Sequence, residues 1–89
     1  MLIALIARDK PGALQIRLDT RDAHVAYLKS SDAVSQAGPL LNEAGEMCGS
    51  LVVLDVEDMD AARAWAGADP YAHADLFESV ELIPWKKVI

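Results

Sequence analysis

No disulfide can close within this chain, because its 89 residues hold a single cysteine, Cys48. A reducing, cytoplasmic setting is the natural expectation. Aromatic residues are few, five in all, and are scattered rather than interleaved with basic ones. Positive charge is scarce: eight Lys and Arg against fourteen Asp and Glu leave a formal net charge of −6. A surface of that sign repels nucleic acid and anionic membranes, so neither is expected as a partner. No apolar run is long enough to span a bilayer. Met1-Leu2-Ile3 has no basic region or small-residue cleavage site near it, and it reads as the start of a strand rather than a signal peptide. His24, Cys48 and His73 lack metal-ligand spacing, so no metal is expected. Gly45 and Gly49 precede neither a helix nor a lysine and make no phosphate loop, and no Gly-x-Ser-x-Gly elbow occurs. No cofactor is implied.

What the chain does have is apolar residues, 53% of it, in runs without alternation. Leu2-Ile3-Ala4-Leu5-Ile6-Ala7 and Leu51-Val52-Val53-Leu54 are apolar at both parities. A strand with one face in water alternates; a strand covered on both faces does not. Chains of this size hide only about 60% of their unfolded surface, so a second copy is the expected cover for the second face. Two sheets meeting this way leave a cleft, where chemistry would be sought.

The punctuation gives the elements. A strand over Leu2–Ala7 is broken by Pro11-Gly12. Gly12–Leu18 reads as helix or strand, with Leu14, Ile16 and Leu18 as anchors. Thr20 caps a helix over Arg21–Ser30, with Ala23, Tyr27 and Ser30 on one stripe and His24 and Leu28 beside it. A second strand, Val34–Leu41, contains Gly38-Pro39 and so belongs at an edge or a bulge. A polar loop, Asn42–Glu46, leads to a third strand over Met47–Val56. Asp58 caps a helix over Met59–Ala66, which Gly67 ends. A short helix over 72–76 precedes a last strand over 78–88, kinked or at an edge by Pro84. The order βαββαβ in one domain, residues 1–89, predicts an α+β, ferredoxin-like fold with a four-stranded antiparallel sheet, paired as a dimeric α+β barrel.

Few residues suit chemistry. His24 lies at the border of the inward helix stripe, and histidine is the side chain best matched to proton transfer at neutral pH. From the residues alone, a helix-edge histidine bonded to a carbonyl is the plainer reading. Asp69 is its best partner, with its exit direction restricted by Pro70, and it is also an ordinary N-cap for Tyr71 or Ala72. Asp22 reads as solvated. Gly49-Ser50 allows a close backbone approach and a hydroxyl donor, or is merely a polar strand end. Gly38-Pro39 shapes the sheet, and Tyr71 sits where a hydroxyl could reach a ligand. His73 and Asp75 read as exposed, and Cys48 as a small hydrophobe.

Read together, Ala7-Arg8-Asp9-Lys10-Pro11-Gly12, Arg21-Asp22-Ala23-His24, Ala37-Gly38-Pro39-Leu40, Gly49-Ser50-Leu51-Val52-Val53, Ala64-Trp65, Ala68-Asp69-Pro70-Tyr71 and Pro84-Trp85-Lys86-Lys87-Val88 make the chain resemble the YciI-like (YCII-related) family along nearly its whole length. The resemblance implies a ferredoxin-like dimeric α+β barrel and a site on a histidine–aspartate pair, matched here by His24 and Asp69. Ser50 matches a pocket-lining Gly-Ser. It implies a cofactor-independent lyase or isomerase, by proton transfer or dehydrochlorination, acting on a small organic molecule. The alternative is a non-catalytic, metabolite-binding or accessory dimeric module. Gly49, Gly38, Pro39 and Tyr71 join Ser50 as expected ligand contacts. One departure stands out: Ser30–Gln36 is shorter than usual for the family.

Overall fold

A computed structural model describes all residues, Met1–Ile89. Four antiparallel strands, β1 (Leu2–Asp9), β2 (Val34–Leu41), β3 (Met47–Asp55) and β4 (Phe77–Trp85), form one sheet in the order β2-β3-β1-β4. With α1 (Leu14–Ser30), α2 (Met59–Ala68) and the single-turn α3 (Pro70–His73), this is the ferredoxin-like plan. Proline lacks a ladder donor, and both strand prolines lie on the sheet's edges, Pro39 in β2 and Pro84 in β4.

The inner face of the sheet builds the core. Ile3, Leu5 and Ala7 of β1 and Val52 and Leu54 of β3 are buried beneath the helices, against Ala62 and Trp65 of α2. Each large apolar side chain withdrawn this way contributes about 1.5–3 kcal/mol. The other parity faces outward. There Ile6 pairs with Leu51, Ala4 lies between Val53 and Ile83, and Leu2 pairs with Trp85. No helix covers this face: Val53 is buried among its neighbours, but Leu51, Ile83 and Trp85 each keep about 40% of their surface exposed.

The helix boundaries depart from the sequence reading. α1 begins at Leu14, not Arg21, and Thr20 is interior rather than a cap. Pro11 and Gly12 make the turn, Gly12 in a left-handed conformation at φ +73, and Ala13 starts the helix with no side-chain cap. Ile16 and Leu18 face outward and anchor nothing; the inward residues of this first half are Ala13 and Arg17. Ala23 is exposed as well, so the inward stripe runs through His24, Tyr27 and Leu28 instead. Asp58 caps α2 as expected, accepting from the Ala61 amide at 2.8 Å. Gly67 does not end α2. The helix continues to Ala68, and Asp69 leaves it in an extended conformation (φ −62, ψ 129), as a residue preceding proline must. α1 and β2 are joined by only Ser31–Ala33.

Candidate active site

Four polar or charged residues are buried in this chain: Arg17, His24, Ser50 and Asp69. All four meet in one region. α1 carries Arg17, Arg21, His24 and Leu28 at helical spacing, so they share one face. That face bounds a cavity of about 370 Å³, closed on the other side by β2 and β3. The cavity lies on the helix-covered side of the sheet, not between two sheets as the apolar outer face had suggested.

His24 and Asp69 come together across 45 positions of sequence. The His24 Nδ1 lies 2.8 Å from Asp69 Oδ1, with both side chains under 10% exposed. Toward an ionised Asp69 it is Nδ1–H that donates, and in the neutral imidazole that leaves the lone pair on Nε2. Nε2 has no partner in the chain, yet no fully buried side-chain nitrogen or oxygen lacks one. Nε2 is therefore open, toward the cavity that His24 lines. The same Asp69 oxygen accepts the Tyr71 backbone amide at 2.9 Å. The two roles read for Asp69, cap and histidine partner, are thus filled by one atom. Tyr71 stacks on His24, with ring centroids 3.9 Å apart and planes 15° from parallel.

Beside this pair lies one that sequence reasoning missed. Arg17 Nε and Nη2 each donate to an Asp9 carboxylate oxygen at 2.7 Å, and Nη2 also donates to Ser50 Oγ at 3.0 Å. Burial pulls the Arg17 pKa down, but the hydrogen bonds and charge of Asp9 outweigh it and the net shift is upward. Nη1 has no hydrogen bond of its own and, by the reasoning used for Nε2, is open. The guanidinium lies 4.6 Å from the centre of the Tyr71 ring. That is close enough for the phenol to feel its charge, although no hydrogen bond of good geometry joins them. Arg21 and Lys29 also line the cavity. A protein of net charge −6 has thus gathered three cationic side chains around one small hollow.

Tyr71 is pushed up from the ordinary phenol range, chiefly by burial, with Arg17 and Arg21 pulling the other way. It stays a neutral hydroxyl at physiological pH. The remaining walls are apolar, with Val25, Leu28, Met47 and Val52 among them.

Of the expected contacts, Ser50, Tyr71, Gly38 and Pro39 line this cavity. Gly49 does not. A Cβ there would overlap the Ala7 carbonyl oxygen and press on the Leu40 side chain, so Gly49 serves the close pairing of β3 with β1. His73 and Asp22 are exposed, as read. Cys48 stands apart, its thiol 3.5 Å from the Leu40 carbonyl. The signal that could have found Arg17 is its place seven residues, two helical turns, before His24.

The YCII-related domain profile matches residues 1–86. Protein YciI of Escherichia coli O6:H1 is 39% identical over an alignment of 97 positions, gaps included, that covers 99% of both chains. An uncharacterized protein of Haemophilus influenzae is 37% identical over 98 aligned positions, again covering 99% of each chain. Among solved structures, 5-chloro-2-hydroxyhydroquinone dehydrochlorinase (TftG) from Burkholderia phenoliruptrix AC1100, in complex with 2,5-dihydroxybenzoquinone, superposes with a TM-score of 0.89 at 32% identity. That match covers 97% of this chain and 94% of that one. An antibiotic biosynthesis monooxygenase shares the fold alone, at a TM-score of 0.58 and 12% identity, over 98% of this chain and all of that one. A profile spanning almost every residue, relatives matched end to end, and a topology already determined by its own strand order agree: this chain belongs to the YCII-related, or YciI-like, family.

Proposed function

We propose that this protein is a cofactor-independent lyase or isomerase that moves a proton on a small, oxygen-bearing organic anion. The observation that carries the reading is the His24–Asp69 hydrogen bond, which leaves Nε2 open to a cavity edged with cations. In this mechanism Nε2 takes a proton from a carbon next to a carbonyl, which a phenol offers in its keto tautomer. The electron pair of the broken C–H bond moves toward that oxygen. Arg17 Nη1 and the Ser50 hydroxyl are placed to bind the oxyanion as its charge develops. Asp69 holds the tautomer and offsets the charge of the imidazolium. In elimination the pair then expels a chloride ion from the adjacent carbon; in isomerisation the proton returns to a different carbon. The likeness to a dehydrochlorinase at 32% identity favours elimination.

Two further parts belong to this reading. A second copy of the chain covers the apolar outer face, giving a homodimer. The protein works in the cytoplasm, where its lone free Cys48 stays reduced. No helix is long and apolar enough to cross a membrane.

The test is chloride release from 5-chloro-2-hydroxyhydroquinone and related chlorinated phenols, with solvent-deuterium uptake followed in parallel. His24→Ala is expected to lower turnover by about 10²-fold or more, the usual scale for a lost general base, with the fold unchanged by circular dichroism. Undiminished turnover in that variant refutes the role of His24. Saturable binding with no turnover or exchange across the series favours the non-catalytic module instead.

A further inference from the structure

We propose that Tyr71 is a positioning residue for His24: the face of its ring, rather than its hydroxyl, fixes the imidazole plane so that Nε2 stays directed into the cavity. This rests on the proposed role of His24 as the proton acceptor, but its geometry stands apart from any turnover. The side-chain tether and one hydrogen bond, from Nδ1 to Asp69, hold one edge of the ring, and small coupled changes in χ1 and χ2 still let its plane rock while that bond is kept. A flat neighbour 3.9 Å away and 15° from parallel removes that rocking. The two restraints together fix the direction of Nε2, and neither does so alone.

A support can hold a ring still only if it is itself held. Tyr71 is 1% exposed and packs with Ala13 and Leu76. Phe77 meets it edge-on at 6.0 Å and 82°. Its backbone amide is tied to Asp69 Oδ1, the oxygen that also binds His24, so the stack and the hydrogen bond share one anchor. Pro70 stiffens the two-residue link between them. The Arg17 guanidinium lies over the same ring, which leaves the ring little room to tilt. The stack, the edge contact with Phe77 and the backbone anchor on Asp69 do not use the hydroxyl.

The experiment is solution NMR of the intact protein, with carbon relaxation and proton shifts read at the His24 ring. The exposed His73 is an internal reference. In the wild type the His24 ring protons should lie upfield of those of His73, and the ring should be rigid, with an order parameter near 0.85. Tyr71→Phe should keep both signatures. Tyr71→Leu should abolish the upfield displacement and drop the order parameter toward about 0.6 or below. A rigid His24 ring in Tyr71→Leu overturns the proposal, since Asp69 would then suffice. A mobile ring in Tyr71→Phe overturns it too, by assigning the work to the hydroxyl. Should Tyr71→Leu fail to fold, absence of the upfield displacement in the wild type is itself decisive against the stack. None of these readings depends on substrate, so chloride release can fail while this proposal holds, and the reverse.

Discussion

A guanidinium with 2% of its side-chain surface exposed is tolerable only if its charge is met, and Asp9 meets that of Arg17 in a two-point grip. Nothing in the letters Arg17 or Asp9 announces this, since isolated charges near a turn read as solvated. His24, Asp69 and Ser50 were legible because each was a reactive residue type in a setting that restricted it, such as Asp69 before Pro70. Arg17 was hidden by the flanking Ile16 and Leu18, whose apolar character suggested the wrong inward face. The chain's two tyrosines give a test at this scale. Burial, then the charge of Asp69, pushes Tyr27 up; burial pushes Tyr71 up against the pull of Arg17 and Arg21. Both folded-state values lie above the ordinary value near 10, so folding favours the neutral phenols. Their contribution to stability is full below about pH 10 and declines as pH rises through the folded-state values. Urea denaturation repeated at rising pH should show that decline, and phenolate absorbance should show neither tyrosine ionising at its free value. A phenol that titrates at the ordinary value would contradict the burial described for it.

At the scale of elements, the strands were readable and the helix ends were not. β1 and β3 carry dense β-branched and aliphatic runs, and Pro39 and Pro84 marked the edges. The start of α1 was misplaced because its first turns hold no capping side chain and no apolar stripe, only a buried ion pair doing the inward packing. The end of α2 was misplaced because a proline one residue on from Asp69, not Gly67, sets the stop. Gly49 is the position where one methyl group would most disturb an element. Gly49→Ala should cost about 1–3 kcal/mol, the range for forcing extra volume into a packed site, because the clash is with backbone of β1 that cannot step aside. A lowered denaturation midpoint checks this; an unchanged one would mean that β1 and β3 can separate locally at little cost.

For the whole molecule, the double-parity apolar runs were the most telling feature of the sequence, and the structure sets no helix over their outer half. Leu51, Ile83 and Trp85 lie on this one side of the sheet, each about 40% exposed, and exposed apolar groups that gather on one face mark an interaction surface. The cavity was harder to foresee, since it needed α1 to be two turns longer than it read. In the proposed homodimer, Leu51→Glu would place a charge in the buried contact while costing the single chain little, because Leu51 is 40% exposed there. Sedimentation should show the wild type at twice the 9.6 kDa chain mass and the variant at that mass itself. A wild type that sediments as a single chain at all concentrations would remove the dimer from the reading.

Ala37, Gly38 and Pro39 border the inner cavity on one side and a second hollow, floored by Leu51 and Val53, on the other. An edge strand one backbone thick is therefore a party wall between two rooms. Linkage is reciprocal: whatever occupies the outer room and shifts that wall changes the affinity of the inner one by a factor that the inner occupant returns in full.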